Sequence, residues 1–460
     1  MSAAHPWLAQ GLQAQAAGQW TTALLAYRRA LREDDTLGDA WVNLSTVLRE
    51  LGRLEEALEA AERAGAHPDA PWARALALQC LGRHDEAHPI LAAALAADPD
   101  HPALASAMAA SLHARGEDEA ALALDQAAFR ALPDRPELRL NVGYALMRCG
   151  HLEEAAAHFE ALGEAPKARW NLAYTRCLQG RLPQAWQHFS ARLEVPEARD
   201  NLRAFDAPRW DGRPFEGRTL LVWGEQGYGD ALMAARFLPA VKALGGRVLV
   251  LTYPSLVDLV ASAGGSDLVL PEGAELPAFD LQVPLLDLPA LLAPADLCPR
   301  LPYLHPATTP RPALAAALDR PGPRIGLVWA GNPRHVEDRR RSLDPARLAP
   351  LLARQDLTWF SLQVGQPAPP GVTDLSPHLH RFEDTAWALQ QLDALVTVDT
   401  AVAHLAGALG RPVHLLLPFF PDWRWGFEGP TTPWYPTATL HRQPRSGAWD
   451  PVLEAVARVL

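Results

Sequence analysis

Lysine is almost missing from this chain: Lys167 and Lys242 are the only two in 460 residues, so arginine carries nearly all the positive charge. The net charge is -11. So anionic a chain lacks the basic face that general nucleic-acid binding requires, and any polyanionic ligand must be small and held locally. Cysteine is scarce as well. Cys80, Cys149, Cys177 and Cys298 stand far apart and outside any C-x-x-C spacing, which excludes a sequence-local zinc site and predicts free thiols, three of them buried in helices. No segment approaches the ~20 uninterrupted apolar residues of a membrane helix. The opening MSAAHPWLAQ has no basic stretch followed by an apolar core, so no secretory signal is expected and a cytoplasmic location is the default. What is present, 49% hydrophobic and 21% charged residues, is globular composition, and the length predicts two or three compact domains.

The clearest regularity is a glycine followed five residues later by alanine: Gly18/Ala23, Gly52/Ala57, Gly82/Ala87, Gly116/Ala121, Gly150/Ala155 and Gly180/Ala185. The intervals between these glycines are 34, 30, 34, 34 and 30 residues, a period that signals stacked helical hairpins. Seven residues before each glycine stands Gly11, Ser45, Ala75, Ala109, Gly143 or Ala173, small enough for two helices to approach closely. The glycine itself ends the first helix in a conformation that bulky residues avoid. Over about residues 5 to 198 this resembles the tetratricopeptide-repeat (TPR) family, with Trp7 and Trp41 at its aromatic position, Tyr27, Phe159 and Phe189 at its later one, and Pro99 and Pro133 at its closing proline. Ala61 and Asp125 depart from that later aromatic position. Asn43, Asn141 and Asn171 share one register, nine residues before the repeat glycine. The resemblance implies a peptide-gripping asparagine ladder there, because the amide donates and accepts at once. Ordinary exposed or capping asparagines are the alternative.

From about Val195 to Phe215 the period stops, and proline and charge mark a linker. Apolar strands alternating with helices follow. TLLVW (219–223), RVLVLT (247–252), DLVL (267–270) and DLQV (280–283) predict a first α/β lobe, and a proline-rich bridge over 294–323 leads to RIGLVWA, TWFSLQ, ALVTV and PVHLLL of a second. The predicted boundaries are a repeat arm over 1–198, a linker over 199–217, and lobes over 218–310 and 323–460.

Immediately after the first strand comes Gly224-Glu225-Gln226-Gly227-Tyr228-Gly229-Asp230, with a helix expected from about Ala231. The glycines let backbone approach a ligand, and a helix start attracts anions. The order G-x-x-G-x-G, with Thr252-Tyr253 where a ribose-binding acid would stand, disfavours nicotinamide binding. On spacing alone Asp230 reads equally as a helix cap. In the second lobe, GLVWAGNPRHVEDRRRSL (326–343) gathers Arg334, Arg339, Arg340 and Arg341, which suit phosphate oxygens but, with Glu337 and Asp338 among them, also suit surface ion pairs. ALVTVDTAVAHLAGALGRPVHLLLP (394–418) puts Asp399-Thr400 at a helix start and His404 one turn on, where an N-cap and a packed histidine are the bland readings. PFFPDWRWGFEGPTTPWYPTATLHRQ (418–443) clusters Trp423, Trp425, Trp434 and Tyr435 about Arg424, for stacking on a base or sugar or for wedging the lobes together. A last helix, from about Trp449, is expected to return toward the first lobe.

VWGEQGYGDALMAARFLPAV, N-P-x-H, Asp-x-x-Arg-Ser and D-T-A-V-A-H-L-A-x-A-L-G together resemble glycosyltransferase family nine, the heptosyltransferase-like enzymes, and its TPR-fused relatives. The resemblance implies a TPR solenoid followed by a GT-B pair of Rossmann-like lobes. It implies a bacterial-type transferase moving sugar from a nucleoside-diphosphate sugar to a hydroxyl; with no D-x-D run near the cleft motifs, and arginine and a helix dipole to supply positive field, no metal and no resident cofactor are expected. It carries the general base onto Asp230 and donor binding onto Gly227, Gly229, Asn332, Arg341, Ser342, Asp399, Thr400 and His404. By analogy to O-GlcNAc transferase, the acceptor is a protein or peptide held by the arm at Asn43, Asn141 and Asn171. A non-catalytic scaffold with nucleotide-binding lobes and an enzyme acting on a glycan or lipid-linked acceptor are the rival expectations.

Overall fold

Each of the six repeat glycines ends the first helix of a hairpin with positive φ, from 68° at Gly18 to 86° at Gly116 and Gly150. The computed structural model describes residues 5–195, 203–293, 297–298, 300–307, 311–335 and 337–460. Two compact units divide them, Met1–Leu162 and Gly163–Leu460. Among the described residues no helix is long and apolar enough to cross a membrane.

In the first unit the helices pair as Pro6–Ala16 with Trp20–Glu33, Gly38–Glu50 with Leu54–Arg63, Ala70–Cys80 with His84–Ala97, Pro102–Arg115 with Asp118–Ala131, and Pro136–Arg148 with Leu152–Glu160. Proline begins three of the first helices, where its missing N–H costs nothing. The alanine five residues after each glycine is fully buried. In two repeats the small residue seven before the repeat glycine is itself a glycine and lies against a large ring. A Cβ on Gly11 would lie 2.4 Å from Tyr27 Cε1, and one on Gly143 would lie 2.7 Å from Phe159 Cε1. Pro99 and Pro133 fall in turns just past the second helices. Trp7 and Trp41 are half-buried beneath Arg29 and Arg63.

Asp125, where the repeat pattern calls for an aromatic ring, belongs to a buried polar cluster. His113 Nδ1 lies 2.7 Å from Asp118 Oδ1, His113 Nε2 lies 3.8 Å from Asp125 Oδ2, and Arg148 Nε donates to Asp118 Oδ1 at 2.8 Å. Burial opposes charge on His113, but the bond to Asp118 and the nearby Asp125 carboxylate outweigh it and hold its pKa above the ordinary value.

The close fit at Gly143 has a direct consequence. Gly143→Val should destabilise the arm by about 1–3 kcal/mol through overpacking, and Gly143→Val/Phe159→Leu should recover part of it. Urea unfolding of the full chain checks both, and an unchanged midpoint in the single variant would contradict the packing.

The second unit opens with the sixth hairpin, Pro166–Leu178 and Leu182–Trp186, followed by a 3₁₀ turn over Phe189–Leu193. Its Ala173, Cys177, Ala185 and Phe189 share one apolar core with Leu220 and Val222 of the first sheet. This hairpin is thus built into the α/β part, although its sequence continues the repeat.

Two parallel sheets follow. The first comprises β1 (Thr219–Trp223), β2 (Arg247–Thr252), β3 (Leu268–Pro271) and β4 (Leu281–Pro284) in the order β3-β2-β1-β4. The second comprises β5 (Arg324–Val328), β6 (Thr358–Ser361), β7 (Thr373–Asp374), β8 (Ala394–Val398), β9 (Val413–Leu417) and β10 (Ala438–Arg442) in the order β10-β9-β8-β5-β6-β7. Every pair is parallel, with Leu221 opposite Leu249 and Val396 opposite His414. β1 is buried on both faces, as its unbroken apolar run requires.

Three expectations need correction. The final helix, Asp450–Val459, does not return to the first sheet: Val452, Leu453 and Val456 pack on Ile325, Leu327, Val396 and Leu416 of the second. Of the buried thiols only Cys177 lies within a helix; Cys149 follows one, Cys298 sits in irregular chain, and Cys80 is exposed. The expected linker is also packed rather than free, since Arg209 bridges in parallel to Gln282 and Trp210 and Phe215 are buried. Its residues 199–202 lie outside the described residues, as do 294–296, 299 and 308–310 of the bridge, including the predicted lobe boundary at 310. The rest of that bridge holds a helix over Pro312–Leu318.

Candidate functional site

Each sheet reverses its strand order once. In the first, β1 lies between β2 and β4; in the second, β5 lies between β6 and β8. Chain segments leaving the carboxyl ends at such a reversal part to opposite sides and open a crevice. The three motif segments leave from these points: Gly224–Asp230 from β1, Trp329–Ser342 from β5, and Asp399-Thr400 from β8.

The helix after β1 covers Tyr228–Ala234, three residues earlier than expected, because Gly227 rather than Asp230 precedes it. Asp230 is therefore its third residue and does not cap it; its carboxylate instead accepts from Arg424 Nη2. Gly229 faces the other sheet's helix Ala401–Ala408, and a Cβ there would lie 2.5 Å from His404 Cδ2. Gly407 on that helix leaves room for Tyr435 in the same way, at 2.4 Å from Tyr435 Cδ1. The β1 and β8 segments thus meet through glycines.

Thr400 precedes Ala401–Ala408 in extended conformation and makes no side-chain cap; its Oγ1 lies 3.3 Å from Thr397 Oγ1. Asp399 is not a cap either. Burial pushes its carboxyl up against the pull of Arg341, and its Oδ1 stands 3.9 Å from His404 Nε2. His404 is packed: Nδ1 is 2.9 Å from the Tyr435 hydroxyl, and Trp425 stacks on the ring at 5.2 Å. Burial, with Arg236 and Arg341 nearby, pushes its pKa down to about 3, so the imidazole is neutral at pH 7.

In the β5 segment, Ser342 Oγ accepts from Gly331 N at 2.9 Å, and Arg341 Nε is 3.2 Å from Asp338 Oδ1. A Cβ on Gly331 would lie 2.7 Å from Arg341 Nη2. Arg334 and Arg339 are exposed, whereas Arg340 and Arg341 are half-buried, so the surface-ion-pair and ligand readings divide among the four. Asn332 is exposed, and its Oδ1 accepts from Arg334 N at 3.0 Å.

Arg424 holds the carboxylates together. Besides Asp230 it binds Asp422 Oδ1 through Nη1 at 2.7 Å, and its guanidinium lies 4.1 Å from the centre of the Trp423 ring. Burial pushes Asp422 up to about 8, helped by Asp399, and lowers Arg424 to about 10. Among the described residues Arg424 Nε is a buried donor without an acceptor, and the Trp425 indole N–H makes no well-formed bond although it faces the Asp399 carboxylate. The aromatic cluster packs rather than stacks on an open face: Trp423, Trp425, Trp434 and Tyr435 are all at most 4% exposed. Trp423 meets Phe189 at 5.1 Å and Trp434 at 5.8 Å, and the Trp434 carbonyl accepts from Arg236, just past the Tyr228–Ala234 helix, at 2.6 Å.

Sequence reasoning missed a second buried charge network. Arg192, at the end of the sixth hairpin, donates through Nε to Glu225 at 3.1 Å and through Nη1 to Asp287 at 2.6 Å, and Arg209 also binds Asp287. It anchors the glycine-rich loop from behind.

The ladder positions lie apart in kind. Asn43 Nδ2 folds back on the Asp39 carbonyl at 2.8 Å, Asn141 Nδ2 donates to Ser106 Oγ at 2.8 Å, and both belong to the first unit. Asn171 is buried in the second.

Among known proteins, a family model of the tetratricopeptide repeat matches residues 8–71. Protein FlbA of Caulobacter vibrioides is 27% identical over 432 residues, taking in 84% of this chain and 71% of that protein. Among solved structures, the APC/C hetero-tetramer Cut9-Hcn1 is 16% identical with a TM-score of 0.39, over 42% of this chain and only 39% of that one. A thermophilic TPR protein of Thermus thermophilus is 26% identical with a TM-score of 0.34, over 37% of this chain and 96% of that one. A tetratricopeptide repeat protein of Parabacteroides merdae is 17% identical with a TM-score of 0.36, over 42% and 80%. The matched repeat and the six positive-φ glycines make the N-terminal region a TPR solenoid, with parallel α/β sheets after it.

Proposed function

We propose that the chain is a glycosyltransferase of GT-B type, related to family nine, that moves a sugar from a nucleoside-diphosphate sugar to a hydroxyl acceptor. The observation that supports this most is the meeting of the two sheets' switch-point segments, Gly229 against His404, with the Asp230 carboxylate beside the junction. In this reading the acceptor oxygen bonds to the anomeric carbon as its proton passes to Asp230. The bond from that carbon to the diphosphate breaks, and its electron pair leaves on the phosphate oxygen. Arg341 and the helix start at Thr400 meet the departing charge. Gly227 and Gly229 give backbone access, Ser342 fixes the Gly331 backbone, and Asp399 addresses sugar hydroxyls. Neutral His404 orders the helix rather than supplying charge. Asn332 stands on the outer turn and contacts the ligand only if that turn folds inward.

A second reading, a nucleotide-binding scaffold without turnover, is favoured by the ion pair that occupies Asp230. A panel of nucleotide sugars separates the two. Release of nucleoside diphosphate from at least one donor is expected, and release from none would leave the scaffold.

For the acceptor, we favour a polypeptide held by the repeat arm. Because the sixth hairpin shares the core of the sheets, the informative truncation removes residues 1–162 rather than 1–195. It should abolish transfer to protein while sparing slow donor hydrolysis. Undiminished transfer would instead point to a glycan or lipid-linked acceptor.

A further inference from the structure

The glycosyl-transfer reading leaves one conflict: its base is tied to a guanidinium. A carboxylate paired with arginine is a poor proton acceptor, because the cation stabilises its charged form. Arg424 is at the same time incompletely used. Two carboxylates take its Nη1 and Nη2, whereas Nε–H has no acceptor although the residue is more than nine-tenths buried. The neighbouring Trp425 indole N–H, equally buried, makes no well-formed bond either, facing only the Asp399 carboxylate, whose own charge burial disfavours. Trp425 stacks on His404, one turn along the helix that starts after Thr400. Unmatched buried donors are costly and uncommon. Two of them next to a helix start form a site for anionic oxygen, and a guanidinium fork fits a phosphate as well as it fits a carboxylate.

We infer, resting on that reading, that Arg424 is an exchange point: it holds Asp230 in this structure, and the diphosphate of a nucleotide ligand displaces that carboxylate from it. The incoming oxygens satisfy Arg424 Nε–H and the Trp425 indole N–H. The same event releases Asp230, whose proton affinity rises once the cation is shared with phosphate. The base is thereby armed only when a donor is in place. Asp422 keeps its bond to Nη1 and holds the guanidinium in position throughout.

Calorimetric titration of the full chain with UDP, GDP, ADP, CDP and TDP tests this directly. If Asp230 and diphosphate compete for one guanidinium, Asp230→Asn binds its preferred nucleoside diphosphate at least ~5-fold tighter, since nothing must be displaced. Arg424→Gln binds at least ~10-fold more weakly. In the Arg424→Gln background, Asp230→Asn no longer tightens binding, which separates exchange from simple loss of a nearby negative charge. Should Arg424→Gln fail to fold, Arg424→Lys keeps the buried charge but not the fork, and a smaller tightening by Asp230→Asn in that background than in wild type carries the same meaning. Equal affinity of wild type and Asp230→Asn for a diphosphate that both bind overturns the exchange and leaves the transferase reading standing. No binding of any of the five by any variant overturns both.

Discussion

Replacing Arg192 with methionine should destabilise the second unit by about 3–5 kcal/mol, because removing one partner from a buried ion network leaves the others charged and unmatched. Glu225 and Asp287 are both buried, and Glu225 Oε2 already has no partner. In the variant Arg209 still binds Asp287 and acts on Glu225 only from a distance, so Glu225 loses its hydrogen bonds to a guanidinium. Hydrogen exchange in β1 and the Tyr228–Ala234 helix should lose protection by roughly 10²–10³-fold, provided exchange there proceeds through opening of the unit. The pH dependence has a definite sign. Burial already raises the Glu225 pKa, opposed chiefly by Arg192, so the variant raises it further. A group with a raised folded-state pKa favours folding below its ordinary value, and that advantage is lost as pH rises through the folded value. The gap between variant and wild type should therefore narrow as pH falls through the variant's folded-state value toward that of the wild type, both of which lie above the ordinary 4.5, and change no further below that. Arg192→Met/Glu225→Gln should recover part of the loss at pH 7. Protection unchanged in the single variant would mean that the network contributes no stability.

Much of the architecture was readable because local chemistry writes it. A glycine that must take positive φ and an alanine that must be buried recur with the repeat, and both have that environment in all six units; the close approach allowed by a small residue is seen at Gly11 and Gly143. The strands were readable for a similar reason. Segments such as TLLVW are buried on both faces, so an unbroken apolar run marks them to within a residue or two. β7 and β10 escaped. The first has two residues, and the second, ATLHR, mixes polar side chains into a strand paired on one side only.

The candidate site was legible only in part, because its loops carry glycine and helix-start signals but their partners do not. Arg192 meets Glu225 across 33 positions and Asp287 across 95, and Arg424 meets Asp230 across 194. No periodicity encodes such a pairing. Even Asp125, which breaks the repeat pattern, carries no sequence sign of the His113 that lies against it. The run holding Arg424 allows aromatic stacking on a ligand or a packed wedge; its rings are buried, and its arginine is the group that reaches Asp230.

Asp230→Asn carries the largest expected effect on activity. If Asp230 accepts the acceptor's proton, turnover should fall by roughly 10²–10⁴-fold, the usual contribution of a positioned base, or about 3–5 kcal/mol of barrier. The amide is nearly isosteric with the carboxylate, so the helix and Gly229 against His404 should survive the change. What marks the variant is the direction of its two kinetic constants. Loss of a purely structural residue would weaken donor binding along with turnover. Here the asparagine no longer competes for Arg424, so KM for the donor should fall while kcat collapses, the pattern expected when a ground-state interaction that opposed binding is removed together with the base. Steady-state kinetics with the donor that the panel identifies would read both constants. A variant with near-normal kcat would remove Asp230 from the chemistry, and one with low kcat and raised KM would return it to a structural role beside Arg424.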